Sequence, residues 1–341
     1  MKIVQLVAAD SVGGLGKHVI ELSNALCETA SVTTIADSSY KGQLDSRVEY
    51  IEFDVARAKG NVLAFFRLYQ LLKKIEPSIV HSHGNKASLV LARMQAFIAA
   101  KTIGTIHWEL KKNKDRKIFS RLNAVIGVTD GVLDNVNNPR QFVVNNGVPL
   151  TPPSLNTEEL RARFKLSADK PVAIAVGRIV KVKGFDILLQ AWQGINAYLI
   201  LVGDGPELGE LQALAEWLGL NGNVRFAGHV DNAQDIFPAC DLIVLSSLHE
   251  GFGYVIAEAL IHKKPIVSTE VTFAKQILPQ EYLAEPGDIS SLHAKLALAF
   301  DDLPALNSSL RDAYEWGGNN LTIEKMAENT VACYRQLVEA V

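Results

Sequence analysis

The chain has 341 residues, of which 48% are hydrophobic and 21% charged, with a formal net charge of −3. That is globular material long enough for two domains, and it excludes a disordered chain or one that binds nucleic acid through overall basicity. Cys27, Cys240 and Cys333 are scattered and odd in number, without the paired spacing of a disulfide framework or zinc site, which fits a reducing cytoplasm. The opening MKIVQLVAADSVGG is too short in apolar residues for a signal peptide or a spanning helix, so the expectation is a cytoplasmic protein.

In chain order, β-branched apolar runs read as strands at 2 to 8, 31 to 37, 48 to 53, 78 to 83, 102 to 107 and 124 to 129. Segments of helical period separate several of them, among them LAFFRLYQLLKKI ahead of Pro77. Strand, helix, strand in that order predicts an α/β fold with parallel sheets covered on both faces, because parallel neighbours need a long crossover. Around FVVNNGVPLTPPS the pattern stops, and the polar segment NTEELRARFKLSADK follows; an interdomain connection is placed at 148 to 168. A second set of strands comes after it, at 171 to 177, 198 to 204, 224 to 230, 241 to 247 and 265 to 269. The segment 321 to 341 has helical period. The outcome is two doubly wound α/β domains, 1 to 150 and 165 to 320, followed by a final helix.

Ligands of such sheets bind at the carboxyl ends of the strands, and four segments lie there. GGLGKH, 13 to 18, brings glycines and a helix start together, a place for an anion, although neither the dinucleotide fingerprint nor a P-loop is complete; a tight turn with no ligand would read the same way. VGRIVKVKGF brings Arg178 and Lys183 to a strand end, a planar fork and a point charge that together suit a diphosphate, against the ordinary reading of solvated surface cations. GDGPE, with Gly205, adds a turn at the next strand. In LHEGFGYVIAEAL, Glu250 precedes a helix starting near Gly253 and Glu258 sits in its second turn. Both acids would gain from the helix dipole alone, but the Gly-Phe-Gly between them suits a phosphate on the N–H groups of residues 251 to 254, with carboxylates flanking it to hold sugar hydroxyls. A nucleotide diphosphate-sugar satisfies all of these features.

The combination of Gly13-Gly14, G-R-x-x-x-x-K-G at 177 to 184, G-D-G-P at 203 to 206, F-x-G at 226 to 228 and E-x7-E at 250 to 258 resembles the retaining glycosyltransferases of family 4 over nearly the whole chain. The resemblance implies the GT-B fold: two Rossmann-like doubly wound domains facing across a cleft, with the last helix returning to the first domain. It implies that Arg178 and Lys183 bind the donor diphosphate, that Glu258 holds the ribose, and that Glu250 faces the transferred sugar. Gly251, Phe252, Gly253 and Tyr254 would border sugar and phosphate, Phe226, Gly228 and His229 the base, and Gly13 and Gly14 would close over the phosphates. His107 in TIHWE matches the family's histidine near the reacting sugar, with His81 and His83 as competing candidates from the residues alone. Envelope glycan or lipopolysaccharide synthesis is the implied setting.

The expected reaction is hexosyl transfer with retention from a UDP-sugar, or a GDP-sugar, to a saccharide or glycolipid acceptor. A nucleotide-sugar epimerase and a non-catalytic nucleotide-sugar binder are the alternatives. No D-x-D occurs in the chain, so neither a metal nor another cofactor is required to bridge the diphosphate. The run KKNKDRK, 111 to 117, reads as a solvated loop or as a peripheral contact with anionic membrane.

Overall fold

A computed structural model describes residues 1 to 8 and 13 to 339. Residues 9 to 12 ahead of Gly13, and the last two residues of the expected final helix, lie outside them. The chain forms two compact units, Met1–Gly147 with Asn320–Val341, and Val148–Asn319.

The first unit is built on seven parallel strands: β1 (Lys2–Val7), β2 (Ser31–Ala36), β3 (Glu49–Glu52), β4 (Ile79–His83), β5 (Lys101–Ile106), β6 (Ala124–Gly127) and β7 (Gln141–Val143), in the order β3-β2-β1-β4-β5-β6-β7. Helices α1 (Gly14–Leu26), α2 (Val62–Ile75), α3 (Gly84–Met94) and α4 (Asn113–Phe119) make four of the connections. Central strands β1 and β4 are buried almost throughout, as strands covered on both faces must be. Asn61 caps α2 by accepting from the Ala64 N–H at 2.9 Å. The short β7 falls inside the segment read as the approach to a linker. Its side chains are only half-buried or exposed, as befits an edge strand, so it lacks the apolar run that marks the others.

The last helix, Ile323–Glu339, buries Met326, Thr330, Cys333, Tyr334 and Leu337. That spacing of four, three, one and three residues is a single helical stripe. It packs into the same core as Ile3, Leu22, Leu26, Ile79 and Ile103. Gly147 lets the chain pass this helix: a Cβ there would lie 2.6 Å from the Thr322 carbonyl oxygen and from Ile323 Cα.

The second unit has six parallel strands, β8 (Val172–Val176), β9 (Tyr198–Val202), β10 (Val224–Gly228), β11 (Leu242–Leu245), β12 (Ile266–Thr269) and β13 (Leu283–Ala284), ordered β10-β9-β8-β11-β12-β13. Its helices include α5 (Thr157–Phe164), α6 (Phe185–Ala191), α7 (Leu208–Trp217), α8 (Tyr254–Ile261), α9 (Thr272–Ile277) and α10 (Ile289–Asp301). Helix α5 lies within the segment read as the interdomain connection, 148 to 168. Asn156 and Glu159 form a reciprocal capping box, and Leu160 is fully buried. One inward residue per two turns leaves almost no periodicity, so the signal lay in the cap. Upstream, the Ser154 N–H donates to the Asp235 carbonyl at 3.0 Å, tying this stretch to the second unit.

In both sheets the strand order reverses once, between β1 and β4 and between β8 and β11. Consecutive connections diverge there and leave a crevice at the carboxyl ends, where open sheets take ligands. Among the described residues no helix is long and apolar enough to cross a membrane.

Since Leu337 is fully buried in the stripe of the last helix, Leu337→Ala should destabilise the first unit by about 2–5 kcal/mol. Urea unfolding, followed by a probe in that unit, checks it.

Candidate active site

In the second unit, the crevice between β8 and β11 is lined by the loops after those strands and after β9. The β8 loop runs Gly177, Arg178, Ile179, and is held at both ends. The Gly177 N–H donates to the Val202 carbonyl at 3.0 Å and the Ile179 N–H to the Asp204 carbonyl at 2.8 Å. The β9 loop lies so close that a Cβ on Gly203 would sit 1.9 Å from the Gly177 carbonyl oxygen, and one on Gly205 2.2 Å from that of Ile179. Gly203 and Gly205 are thus demanded by backbone-to-backbone contact. Arg178 projects from this braced loop and is exposed.

Lys183 ends a single 3-10 turn, Lys181–Lys183, and Gly184 follows in the left-handed region at φ +62° as the start of α6. A Cβ on Gly184 would meet the Ser246 carbonyl oxygen at 2.2 Å. The β11 loop grips the same turn twice more: Ser246 Oγ donates to the Lys183 carbonyl at 2.9 Å, and the Leu248 N–H to the Val182 carbonyl at 2.8 Å. Lys183 Nζ is ion-paired with Glu250 Oε1, which also accepts from Ser247 Oγ at 2.9 Å. Their side chains are only 22% and 16% exposed. The lysine expected at the diphosphate and the acid expected at the sugar hydroxyls are thus ion-paired with each other. The two form one unit, with Ser247 as its third member.

Beyond Glu250, Gly251 is half-buried and Gly253 takes φ +80° as the N-cap of α8 with no side-chain cap bond. The α8 N-terminus thus begins at the crevice on a glycine that offers no capping side chain, a place that suits an anion. The Phe252 side chain turns away, stacked on Phe273 at 4.6 Å between centroids, so only its backbone serves the site. Tyr254 begins α8, and Glu258, one turn further on, is buried. At the far edge, Phe226 and Gly228 end β10, Gly228 with φ +69°, and the exposed His229 is paired with Asp231 at 3.0 Å.

The first unit has its own constellation at the switch point between β1 and β4. His83 closes β4, His107 follows β5, and His18 lies on α1 behind Gly13 and Gly14. Gly13 caps α1 through its backbone, with no side-chain cap bond, and both glycines are exposed. His83 Nδ1 and His107 Nε2 are 3.4 Å apart, and the His18 ring stands edge-on to His107 at 4.7 Å. Ligating nitrogens of His18, His83 and His107 lie within 4.8 Å of one another, a donor set of the kind that takes zinc. Burial pushes His18 down to about 4, opposed by Asn146. His81, His83 and His107 are also driven well below the ordinary histidine range, first by burial and then by neighbouring imidazoles. The motifs GGLGKH and HSHG contain His18 and His83, but no spacing rule connects them. Three strand ends bring them together.

Two family models match in succession: Glycosyltransferase Family 4 over residues 12 to 151, and Glycosyl transferases group 1 over 156 to 315. The chain belongs to glycosyltransferase family 4. This glycosyltransferase is 27% identical over 265 residues to the lipopolysaccharide core biosynthesis glycosyltransferase LpsE of Rhizobium meliloti, covering 75% of this chain and 76% of the relative. It is 34% identical over 175 residues to LpsD of the same organism, half of each chain. Among solved structures, Anabaena HepE in complex with UDP superposes with a TM-score of 0.86 at 21% identity, over 98% of this chain and 100% of the other. The lipopolysaccharide outer core galactosyltransferase WaaB superposes at 0.74 and 16% identity, over 98% and 99%. These likenesses establish the GT-B fold for the glycosyltransferase.

Removing Lys183 strips a cation from the crevice and leaves the Glu250 carboxylate without its partner. Lys183→Ala should therefore lower kcat/KM by about 10²–10³ while the protein stays folded; steady-state kinetics with a melting curve separates the two. Glu258→Ala should weaken nucleotide binding by about 10- to 100-fold, the loss of charged hydrogen bonds, as read by calorimetry.

The histidines carry a prediction for stability. Each has a folded pKa below its unfolded value of about 6.5, so the unfolded chain binds more protons as pH falls. Stability is fully present above pH 6.5 and is lost downward, for His18 until pH reaches about 4. Each such group adds a slope of about 1.4 kcal/mol per pH unit inside its window. Denaturant melts at pH 7, 6 and 5 should show the fall, and His18→Gln should lessen it by the share of one group.

Proposed function

We propose that the protein transfers a hexosyl unit from a UDP-sugar to a saccharide or glycolipid acceptor of the lipopolysaccharide type, with retention of anomeric configuration. The observation that carries this reading is the crevice at β8 and β11. There the Lys183–Glu250 pair, an exposed Arg178 and the glycine-capped N-terminus of α8 converge on one sheet edge.

The chemistry asks for charge stabilisation above all. As the bond from the anomeric carbon to the diphosphate oxygen breaks, negative charge grows on the leaving group and positive charge on the sugar. Arg178 and Lys183 with the α8 amides offset the first, and Glu250, partly neutralised by Lys183, lies beside the second while accepting from hydroxyls. The acceptor hydroxyl forms its bond on the face the diphosphate leaves and gives its proton to a diphosphate oxygen; UDP and the glycoside are the products. Glu258 holds the ribose, Phe226, Gly228 and His229 border the base, and His107 acts on the transferred sugar. Glu250 and Glu258 are not a glycosidase acid and base, because one is already paired to a cation and the other is buried within α8.

UDP is favoured because HepE is known in complex with UDP and with UDP-glucose, and TarM with UDP. The acceptor class follows the names of LpsE, LpsD and WaaB. A peripheral contact with anionic membrane is supported by Lys111, Lys112, Lys114 and Lys117, exposed at and beside α4.

UDP-hexoses incubated with the enzyme and lipopolysaccharide core acceptor should release UDP in step with an α-glycoside seen by proton NMR. An altered nucleotide sugar formed without acceptor would point to an epimerase instead. Binding without any UDP release would leave only a nucleotide-sugar binder.

A further inference from the structure

A continuous chain of six polar side chains, five of them buried, runs through the first unit and ends on His107. Tyr334, on the last helix, places its hydroxyl 2.6 Å from His81 Nδ1 and accepts from Gln5 Nε2 at 3.3 Å. His81 Nε2 is 2.6 Å from Thr105 Oγ1. In the other direction Gln5 Oε1 is 2.6 Å from His83 Nε2, and His83 Nδ1 is 3.4 Å from His107 Nε2.

With Gln5 Nε2 on Tyr334 and Gln5 Oε1 on His83, counting protons fixes every other bond in this chain. An amide oxygen only accepts, so His83 Nε2 carries a proton and donates to Gln5. A neutral imidazole has one N–H, so His83 Nδ1 is bare and accepts from the Nε2–H of His107. By the same count His107 keeps its lone pair on Nδ1. On the far side the Gln5 amide nitrogen only donates, so the Tyr334 hydroxyl spends its proton on His81 Nδ1, and His81 Nε2–H donates to Thr105. The burial that disfavours charging these rings keeps the count at one proton each. Turning the Gln5 amide over would reverse every bond and move the His107 proton to Nδ1.

We propose that Gln5 and Tyr334 are positioning residues that act through His83 to hold His107 as the Nε2–H tautomer, so that it presents a bare Nδ1 as acceptor for a hydroxyl of the transferred sugar. This rests on the reading of His107 given above. Without the network the ring would exchange between an Nδ1 that accepts and an Nδ1–H that donates, and the sugar hydroxyl would no longer meet one fixed partner. A metal on His18, His83 and His107 is the competing use of the same nitrogens. It would occupy the His83 Nδ1 lone pair that the network needs, so the two are mutually exclusive.

The test is nitrogen-15 histidine spectroscopy of the full chain, with His107 assigned by its loss in His107→Gln. The inference expects an unprotonated Nδ1 and a protonated Nε2 on His107. In Gln5→Leu and Tyr334→Phe the two tautomers should mix. In both variants kcat should fall on the order of 10- to 100-fold, the cost of losing outer partners of a working imidazole. The donor KM should hold within about twofold. A protonated Nδ1 in the parent, an unchanged His107 spectrum in both variants, or one equivalent of zinc lost in His18→Gln would each overturn it. Should Tyr334→Phe fail to melt cooperatively, Gln5→Leu reads the same coupling. Parent-rate transfer by His107→Gln would instead sink the role of His107 in the reaction and with it the sugar-facing half of this inference, whatever the tautomer.

Discussion

Parallel strands whose connections leave a central pair in opposite directions cannot close over their own carboxyl ends. That constraint, met once in each sheet, creates both functional neighbourhoods of this protein. At β8 and β11 the exposed ends are braced by backbone packed on backbone. The carbonyls of Gly177, Ile179 and Ser246 face positions where only glycine fits. At β1 and β4 the ends are instead filled by imidazoles held in hydrogen bonds. One crevice is rigid through close approach of main chain, the other through a buried polar network. Both solutions hold charge and donors by contacts within the protein, and such preorganisation is what electrostatic catalysis asks of a protein.

The Lys183–Glu250 pair shows what this rigidity does. A lysine on a flexible stem beside a diphosphate would lose side-chain entropy on binding. Here the stem is confined by a turn whose carbonyls at 182 and 183 both accept from the β11 loop. The carboxylate is shared between Nζ and Ser247, so neither charge stands unpaired in a poorly solvated place.

Much of this was legible in the sequence. Apolar runs gave eleven of the strands because buried parallel strands have no polar alternation to blur them. The motif glycines at 184, 205 and 253 and the charges at 178, 183, 250 and 258 could be placed on one sheet edge from strand ends alone. Other features were not readable. Strands β7 and β13 are three and two residues long and carry no pattern. Helix α5 announced itself by Asn156 and Glu159 and not by periodicity. The ion pair joins residues 67 apart, and the network joins Gln5 to Tyr334, 329 apart. Both are products of tertiary contact, and nothing local in the chain encodes them.

The last helix completes the core of the unit that the chain began, after the whole of the second unit has intervened. During synthesis, residues 1 to 147 therefore emerge with Ile3, Leu22 and Leu26 uncovered, and wait for some 170 residues to follow. The second unit has no such delay. It can mature while its elder neighbour is still unfinished, so the histidine network is among the last features of the protein to form. A nascent or truncated chain would thus acquire its β8–β11 crevice first and its His107 environment only when Tyr334 arrives.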